Sequence, residues 1–440
     1  MENPRQLAYQ TLRSILRDQS YSNISIAGAL GSHDLSGADK SFFTTLVYGV
    51  LERKVTLDYQ LSRYLKQPLK KLHPKVYPAL LLGAYQILFL DRVPDRAAIH
   101  ESVELVKKNG AGFAAGLSNA VLRNVSTHGL CLPEEPKAGG EEQTSLTEKE
   151  ALYYSVKYSV PVPLLELFTG AYGLGKTEGL LAASLEPSPL TVRVNTTKIT
   201  SDSLAKRLRE EGVESRPHPA VGDALILTSP GSLSDLPSFR EGLFHVQDAA
   251  SQLCCENLDP QPGEVVFDLC AAPGGKSCTL AERMGDSGVV RAFDISEKRV
   301  GLIAENARRL GLSSIETAAA DATVFDPERG LADRVLVDVP CAGYGDIGRK
   351  PEIRFRDPGL VDDLPPLQYN ILNNAEKYLR PGGRLVYSTC SLDPAENEHV
   401  AERFLSEHPD HTLVLMKTYF PQDYDCDGFF NAVFEKAGEP

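Results

Sequence analysis

Between Gln261 and Ser388 the chain alternates short apolar runs with longer amphipathic segments, and this alternation constrains the fold more than any other feature of the sequence. The apolar runs predict β-strands over Val265–Leu269, Gly288–Phe293, Ile315–Ala319, Arg334–Val337 and Gly383–Ser388. The segments between them predict helices over Lys276–Met284, Lys298–Leu310 and Pro366–Leu379. Strands and helices that alternate in this way form a parallel, doubly wound α/β sheet, whose functional sites lie at the carboxyl ends of the strands.

The rest of the chain divides into three segments of different composition. Residues 1–130 have apolar side chains at three- and four-residue spacing without strand-like alternation, which predicts an all-helical bundle. Residues 131–145 combine Pro, paired Gly and clustered acids without periodicity, which is typical of a linker. Residues 146–244 mix helical and strand-like patterns and predict a small α+β region. We therefore expect the α/β domain to occupy residues 245–440.

The charges are distributed unevenly along the chain. Forty-six Lys and Arg residues against 59 Asp and Glu residues give a net charge of −13. This argues against a protein that coats nucleic acid nonspecifically, because neutralising phosphates takes clustered cations. The helical segment, however, carries 16 basic and 10 acidic residues, or +6, whereas residues 151–440 carry −15. The average therefore excludes only a nonspecific coat.

The sequence predicts a cytoplasmic protein with no membrane segment and no metal. Its first residues lack the apolar core of a signal peptide. Its most apolar stretch, Ala79–Leu90, contains Gln86 and is too short to span a bilayer, so we expect a buried helix there. The eight cysteines contain no CxxC pair, and the nine histidines show no HxxxH or HExxH spacing. We expect free thiols and a monomeric chain.

Residues Gly170–Thr177 match the phosphate-binding pattern GxxxxGK[ST], and Arg334–Asp338 could supply the magnesium-binding strand of a P-loop NTPase. Such a loop works only when a buried β-strand leads into it. The preceding residues, PVPLLELFTG, instead have apolar side chains at helical spacing around Glu166. We therefore favour a helix here and keep the NTPase as the alternative enzyme.

A second Gly-rich loop, Cys270–Lys276 (CAAPGGK), follows a predicted strand and opens a predicted helix. Gly274 and Gly275 allow backbone amides to approach a ligand at the helix N-terminus. With one Gly pair, the loop does not match the dinucleotide pattern GxGxxG. Asp294 ends the next strand, where an acid can bind ribose hydroxyls, and Asp321 follows the third strand, within reach of an adenine amino group. This set predicts a nucleoside ligand without a pyrophosphate.

Two cysteines follow predicted strands at the same edge of the sheet: Cys341 in DVPC and Cys390 in STCS, with Asp338 beside them. Methylation of a pyrimidine at carbon 5 needs such groups, because carbon 5 becomes nucleophilic only after a thiolate has added to carbon 6. An acid that supports ring N3 helps this addition, and a base then removes the carbon-5 proton so that the thiol can leave. On this reasoning either thiol could be the nucleophile.

Four motifs in combination resemble the RNA 5-methylcytosine methyltransferases of the Sun/RsmB/Nop2 family: CAAPGGK, DVPCAGYGDIGRKPEIR, YSTCSLDPAENE and HVQDAASQ. The helical segment, with LVYGVLERKVTLD and LLLGAYQILFLDRVP, resembles the NusB-type RNA-binding domain, and SPLTVRVN resembles the family's small RNA-binding subdomain. The resemblance implies a Rossmann-like methyltransferase domain that uses S-adenosylmethionine, preceded by a NusB-like domain. The implied substrate is one cytosine of 16S rRNA, at the cytosine 967 type of site.

The resemblance also assigns roles to individual residues. It implies Cys390 as the nucleophile, Cys341 as the thiol that assists product release, and Asp338 at the junction of donor and cytosine. The donor-binding residues that it implies are Cys270, Ala271, Ala272, Pro273, Gly274, Gly275, Lys276, Asp294, Asp321 and Asp338. Lys276 is also placed among the catalytic residues. A noncatalytic, antitermination-like RNA-binding factor built on the helical segment is the third functional class.

Four cations within eight residues follow the DVPC motif: Arg349, Lys350, Arg354 and Arg356. We predict that they contact RNA phosphates beside the target base, since phosphate contacts position a nucleic acid on its protein. Arg193, in the TVRVN strand, is a further RNA-binding candidate through the resemblance.

Overall fold

The computed structural model describes residues 3–18, 22–136 and 140–438, and these form two compact units. Unit 1 contains the described residues up to Glu186 together with Ile347–Pro358. Unit 2 contains Pro187–Asp346 and the described residues from Gly359 onward. Each unit has its own apolar core. In the described parts of the chain, no helix has both the length and the apolar character needed to cross a membrane.

Unit 1 is built from helices, as the sequence predicts. They are α1 (Pro4–Asp18), α2 (Ser22–Ser32), α3 (Gly37–Glu52), α4 (Lys54–Ser62), α5 (Tyr77–Phe89), α6 (Asp95–Val106), α7 (Ala115–His128), α8 (Glu148–Tyr158) and α9 (Val162–Ala183). The apolar stretch expected to be a buried helix forms α5. Gln86 is buried there with its amide satisfied, because it donates to the carbonyl oxygen of Leu82 (2.8 Å) and accepts from Arg5 Nε (2.7 Å).

Helices α8 and α9 belong to unit 1, although composition groups them with the strands that follow. The hydroxyl of Thr56 on α4 donates to the carbonyl oxygen of Val156 on α8 (2.6 Å), and the Ser159 hydroxyl accepts from Val55 N (3.1 Å). The division between the units therefore falls after Glu186. This division differs from the domain bounds that the sequence predicts after residues 130, 145 and 244. Those bounds stay predictions.

The GxxxxGK[ST] match lies inside α9, so the structure contradicts the P-loop alternative. A helix rather than a β-strand leads into the match. Gly173 interrupts that helix with a φ of +78°, and a Cβ at this position would lie 3.0 Å from the carbonyl oxygen of Glu141. The Thr177 hydroxyl, which would bind magnesium in a P-loop, is buried and donates to the Gly173 carbonyl oxygen (2.8 Å). These residues therefore form a helix kink.

One segment of unit 1, Ile347–Pro358, is far from the rest of the unit in sequence. Its Arg354 is fully buried and donates to the carbonyl oxygens of Ser184 (2.8 Å) and Tyr158 (3.2 Å). Burial lowers the pKa of Arg354 to about 10, although the nearby Glu52 carboxylate acts to raise it. The structure contradicts the predicted phosphate contact of Arg354, because the side chain is buried and acceptors of Ser184 and Tyr158 bind its two terminal nitrogens.

Unit 2 contains two sheets. The elements of the smaller sheet are β1 (Leu190–Val194), α10 (Ser201–Glu210), β2 (Glu214–Pro217), β3 (Ala224–Thr228), α11 (Pro237–Arg240) and β4 (Phe244–Val246). Its strands are antiparallel, in the order β2-β3-β1-β4. This is the small α+β region that the mixed pattern predicts.

The larger sheet carries the alternating pattern of the sequence. Its elements are α12 (Ala249–Leu258), β5 (Val265–Asp268), α13 (Gly275–Arg283), β6 (Val289–Asp294), α14 (Glu297–Leu310), β7 (Ile315–Ala319), β8 (Ala332–Asp338), α15 (Leu364–Ala375), β9 (Leu379–Thr389), α16 (Glu398–Glu407), β10 (His411–Tyr419), α17 (Pro421–Tyr424) and β11 (Phe429–Lys436). The strand order is β10-β11-β9-β8-β5-β6-β7. The five neighbouring strands β9, β8, β5, β6 and β7 are parallel, as predicted.

The last two strands make the sheet mixed rather than purely parallel. Strand β11 runs antiparallel to β9, and β10 runs antiparallel to β11. The connection from Tyr419 to Phe429 is too short for the crossover that parallel neighbours need, so β10 and β11 pair as a hairpin.

Replacing Arg354 by Met should destabilise unit 1, because the carbonyl oxygens of Ser184 and Tyr158 would stay buried without their donor. We expect the free energy of unfolding to fall by about 3 kcal/mol, measured by urea denaturation. Arg123→Met, at an exposed position of α7, is the matched control and should change stability little. Equal stability of the two variants, with RNA affinity lost only in Arg354→Met, would show that Arg354 is an RNA contact after all.

Candidate active site

The loop between β5 and α13 holds the Gly-rich motif Cys270–Lys276 at the carboxyl edge of the parallel strands. Gly274 has a φ of +103°, and a Cβ at this position would lie 3.0 Å from the Cα of Ile303, so glycine is required. Ala271 N donates to the carbonyl oxygen of Phe293 (2.8 Å), which ties the loop to the end of β6. The motif therefore lies between a strand and a helix, as predicted.

Asp294 ends β6 beside this loop and is almost completely buried, with 3% of its surface exposed. Its carboxylate accepts hydrogen bonds from Ala272 N (3.3 Å) and Ser296 N (3.0 Å) and pairs with Arg299 at 3.2 Å. Arg299 also donates to the carbonyl oxygen of Ala272 (2.9 Å). The sequence analysis does not select Arg299. The signal that could have identified it is a cation in the first turn of α14, the helix that follows Asp294.

Asp321 lies just beyond the end of β7 and is exposed. Its carboxylate accepts hydrogen bonds from the Thr323 hydroxyl (2.7 Å) and amide (2.9 Å), and these bonds lower the pKa of Asp321. Because β7 pairs in parallel with β6, Asp294 and Asp321 follow adjacent strands at the same edge of the sheet.

A cavity of about 200 Å³ opens beside the Gly-rich loop. Its lining includes Asp338 and every residue of Cys270–Lys276 except Gly274. Gln247, Asp248 and Ser251 also line it, and they belong to the HVQDAASQ motif, which sequence reasoning used only for the resemblance. A larger cavity of about 280 Å³ in unit 1, beside α1 and α6, contains none of the predicted site residues.

Asp268, at the end of β5, places a buried carboxylate against this cavity. Its Oδ2 accepts a hydrogen bond from the Ser277 hydroxyl (2.6 Å), whereas its Oδ1 has no hydrogen-bond partner among the described residues. Burial raises the pKa of Asp268 to about 7, despite the hydrogen bond from Ser277. An unsatisfied buried oxygen of this kind fits a ligand that donates a hydrogen bond or carries a positive charge.

An ion pair joins the first turn of α13 to the end of β8. Lys276 Nζ lies 2.6 Å from Asp338 Oδ2, and the Ser388 hydroxyl donates to Asp338 Oδ1 (2.9 Å). Burial by itself would lower the pKa of Lys276, but the charge and hydrogen bond of Asp338, together with the neighbouring Cys254 and Cys255, raise it. Lys276 therefore keeps its charge beside the Gly-rich loop.

Cys341 and Cys390 lie in contact, with their sulfur atoms 3.2 Å apart. Cys341 follows β8 and Cys390 follows β9, and these strands are parallel neighbours. The hydrogen bond with Cys341, together with burial, raises the pKa of Cys390 well above that of an ordinary thiol. The structure thus brings both predicted thiols to the edge that holds Asp338, but the geometry alone leaves open which thiol attacks.

Close backbone contacts fix the turn after Cys341. Gly345 N donates to the carbonyl oxygen of Cys390 (2.9 Å), and Gly428 N donates to the carbonyl oxygen of Gly345 (3.0 Å). A Cβ on Gly345 would lie 1.8 Å from the carbonyl oxygen of Gly428, so the two chains meet too closely for a side chain.

Arg193, a predicted RNA contact on β1, has only 2% of its surface exposed. Its Nε donates to Glu282 (3.3 Å), and its guanidinium lies 3.5 Å from Asp223. The structure contradicts an RNA role for Arg193, because these acids already pair with its charge inside unit 2.

The other predicted RNA contacts are Arg349, Lys350 and Arg356, which are half-buried. They belong to the Ile347–Pro358 segment of unit 1. Glu352 of this segment accepts hydrogen bonds from the amide (3.0 Å) and hydroxyl (2.6 Å) of Ser22, at the start of α2. Contact of the three cations with RNA stays a prediction.

One group of side chains of metal-ligating type lies elsewhere in unit 2, where Glu376, His408 and His411 offer ligand atoms within 4.8 Å of one another. Glu376, however, pairs closely with Lys436, whose ammonium supplies the positive charge that a cation would bring. His408 Nε2 also lies 2.8 Å from Asn373 Oδ1. The expectation that the protein holds no metal stays a prediction.

Three family models match successive parts of the chain. The NusB family matches residues 2–127, the RsmF/B-like ferredoxin-like domain matches residues 161–234, and 16S rRNA methyltransferase RsmB/F matches residues 255–435. Their order confirms the succession of a helical, a small α+β and an α/β region that the sequence predicts.

Individual proteins are similar over nearly the whole chain. A probable ribosomal RNA small subunit methyltransferase B from Synechocystis is 36% identical, covering 99% of this chain and 100% of its own length. A protein of the same description from Bacillus subtilis is 36% identical over 99% of both chains. The crystal structure of PH0851 matches with a TM-score of 0.79 at 27% identity and covers 99% of both chains.

The raised pKa of Asp268 should make stability depend on pH. The folded protein holds this proton up to about pH 7, whereas the unfolded chain releases it near pH 3.8, so the free energy of unfolding should fall as the pH rises between these values. Asp268→Asn has no carboxyl group here and so lacks this dependence. Between pH 4 and pH 8 its free energy of unfolding should therefore rise by up to about 4 kcal/mol relative to that of the wild type. Thermal melting across that range measures the difference.

Asp202→Asn, at an exposed position of α10, is the control and should differ from the wild type by a constant amount. If the difference in the free energy of unfolding between the wild type and Asp268→Asn also stays constant from pH 4 to pH 8, the shifted pKa of Asp268 is contradicted.

Proposed function

The chain belongs to the ribosomal RNA small subunit methyltransferase B family, and we propose that it transfers the methyl group of S-adenosylmethionine to carbon 5 of one cytosine in 16S rRNA. Membership makes it an rRNA methyltransferase of the RsmB/F type. The observation that carries the finer proposal is the contact of Cys341 with Cys390 at the edge that holds the Lys276–Asp338 ion pair. We propose the cytosine 967 type of site as the target, from the sequence resemblance.

The cavity beside the Gly-rich loop suits S-adenosylmethionine, which supplies an electrophilic methyl group when bound. Asp268 offers an unpartnered oxygen to this cavity, and Asp248 and Asp338 add carboxylates to the lining. These acids favour a ligand with cationic sulfonium and ammonium groups. We assign Asp294 to the ribose hydroxyls and Asp321 to the adenine amino group, because they end or follow the two adjacent strands.

Cytosine carbon 5 reacts only after a nucleophile has added to carbon 6. In the proposed reaction Cys390 releases its proton to water and its sulfur bonds to carbon 6. The electrons of the double bond between carbons 5 and 6 then shift through the ring toward N3 and make carbon 5 electron-rich. Lys276 and Asp338, paired at 2.6 Å, hold a proton beside the negative charge that develops at N3. The electron pair at carbon 5 then forms the bond to the methyl group, whose bond to the donor sulfur would break and leave its electron pair on that sulfur.

Release of the product needs a base for the proton on carbon 5. We assign this step to Cys341, whose thiolate takes up the proton and becomes a thiol, because its sulfur touches that of Cys390 and so reaches the same part of the ring. As the proton leaves, the electrons of the carbon–hydrogen bond re-form the double bond between carbons 5 and 6. The bond between carbon 6 and the Cys390 sulfur then breaks, which regenerates the thiolate.

RNA binding by this acidic chain has to depend on a few placed cations and on RNA shape. We propose that Arg349, Lys350 and Arg356 contact phosphates of the rRNA, and that the protein acts as a monomer in the cytoplasm. Arg193 and Arg354 are excluded from this role by their burial.

The noncatalytic alternative, an antitermination-like factor built on the helical segment, has less support. It would leave the paired thiols, the ion pair and the donor cavity of unit 2 without a role. Variants of Cys390 that bind RNA normally but do not methylate it would separate the two functions.

Separate substitutions of the thiols test the two assignments, using a radiolabelled methyl donor and a 16S rRNA transcript. Cys341→Ala should still transfer the methyl group but release the product slowly, so a covalent protein–RNA complex should accumulate on denaturing gels. Cys390→Ala should form no complex and show no detectable methyl transfer. Cys131→Ala, in unit 1, is the control and should behave like the wild type.

Methyl transfer by Cys390→Ala, combined with no trapped complex for Cys341→Ala, would refute the thiol assignment. Bisulfite sequencing of 16S rRNA from cells with and without the gene tests the target. An identical pattern in the two strains would refute a 16S cytosine as the substrate.

A further inference from the structure

A single buried carboxylate joins the loop of Cys341 to the loop of Cys390. Glu396 is fully buried, and its Oε2 accepts a hydrogen bond from the backbone amide of Ala342 (2.9 Å), the residue after Cys341. Its Oε1 accepts a hydrogen bond from the hydroxyl of Ser391, the residue after Cys390. The two cysteines are 49 residues apart in sequence, so this side chain bridges segments that follow different strands.

Gln368 on α15 extends the bridge to the other side of Cys341. Its Nε2 donates to Glu396 Oε2 (2.7 Å) and to the carbonyl oxygen of Pro340 (2.9 Å), the residue before Cys341. The backbone is therefore attached to the Glu396 carboxylate on both sides of this cysteine, directly through Ala342 and indirectly through Gln368.

The hydrogen bonds to this carboxylate come from neutral donors. Burial raises the pKa of Glu396, whereas the bonds from Ser391, Ala342 and Gln368 lower it. A buried carboxylate costs free energy relative to an apolar side chain unless hydrogen bonds compensate it. An apolar residue at this position could not accept hydrogen bonds from both the loop of Cys341 and the loop of Cys390, whereas the Glu396 carboxylate accepts from both.

We propose that Glu396 is a positioning residue that sets the separation of the two thiols, an inference that rests on the proposed two-cysteine reaction. One sulfur has to reach carbon 6 and the other the proton on carbon 5, so their separation must match adjacent atoms of one ring. Misplacement of a reacting group by about 1 Å can cost about 100-fold in rate. Glu396 acts on both sulfurs through the residues that follow Cys341 and Cys390.

The test compares Glu396→Ala and Glu396→Gln with Glu402→Ala, a control that removes an exposed carboxylate from α16, the helix that begins two residues after Glu396. The readout is the rate at which diamide converts the two thiols into a disulfide in the full-length protein, followed by peptide mass spectrometry. In this reaction two S–H bonds break, one S–S bond forms between Cys341 and Cys390, and diamide takes up both hydrogens. The rate reports how the sulfurs are held and requires no methyl transfer.

We expect Glu396→Ala to slow disulfide formation roughly ten-fold and to lower kcat for methyl transfer about 100-fold. The affinity for S-adenosylmethionine and the KM for RNA should stay at wild-type values, because Glu396 is not among the residues that line the donor cavity. The disulfide rate and kcat of Glu396→Gln should lie between those of the wild type and Glu396→Ala. The amide of Gln can accept a hydrogen bond from Ala342 through its oxygen and donate one to Ser391 through its nitrogen. Glu402→Ala should match the wild type in every measurement.

Disulfide formation at the wild-type rate in Glu396→Ala would overturn the proposal. Loss of donor binding in step with methyl transfer would also overturn it, because Glu396 would then be needed only for folding. If Glu396→Ala does not fold, the comparison of Glu396→Gln with Glu402→Ala decides the question in the same way. Disulfide formation that depends on Glu396, in a protein that methylates no RNA, would instead refute the proposed function and leave the control of the thiol separation standing.

Discussion

Parallel pairing between β5, β6, β8 and β9 determines where the reactive groups of unit 2 lie. In this register Asp338, at the end of β8, is level with Ser388 near the end of β9. Parallel strands end at one edge of the sheet, so residues that follow different strands become neighbours whatever their distance in sequence. Four separate parts of the chain meet there: the Gly-rich loop after β5, Asp294 at the end of β6, Cys341 after β8 and Cys390 after β9.

The electrostatics of this edge differ between its two halves. On the side of the cavity, Asp268 and Asp338 create an acidic lining, which favours a cationic ligand. On the side of the thiols, the hydrogen bond between Cys390 and Cys341, together with burial, raises the pKa of Cys390 and favours its neutral thiol. The ion pair of Lys276 with Asp338 joins the Gly-rich loop to β8. A cationic ligand bound at this edge would favour loss of the Cys390 proton, because a nearby positive charge stabilises a thiolate.

The sequence predicts the inner strands well, because strands buried on both faces are apolar runs with recognisable ends; the predicted Val265–Leu269 differs from β5 by one residue. The edge strand β7, Ile315–Ala319, agrees residue for residue although it is only partly buried. The two thiols and Asp338 can be selected from the sequence because the proposed chemistry requires those residue types. The antiparallel direction of β10 and β11 depends on pairing, which a local pattern does not contain. The interior positions of Arg354 and Arg193 are also beyond sequence reasoning, since charged residues are normally exposed and only the fold supplies their buried partners. Glu396 is missed for the same reason.

Unit 1 is discontinuous in sequence, and this has a consequence for how the protein is made. The carbonyl group of Ser184 is synthesised 170 residues before its donor Arg354. At about 5 to 20 residues per second, the ribosome needs roughly 10 to 30 s to cover that distance. Throughout this interval the nascent helical unit lacks the side chain that satisfies Ser184 and Tyr158, while strands β1 to β8 are already being synthesised. Unit 1 therefore cannot finish folding before synthesis of unit 2 has begun, although most of unit 1 is synthesised first.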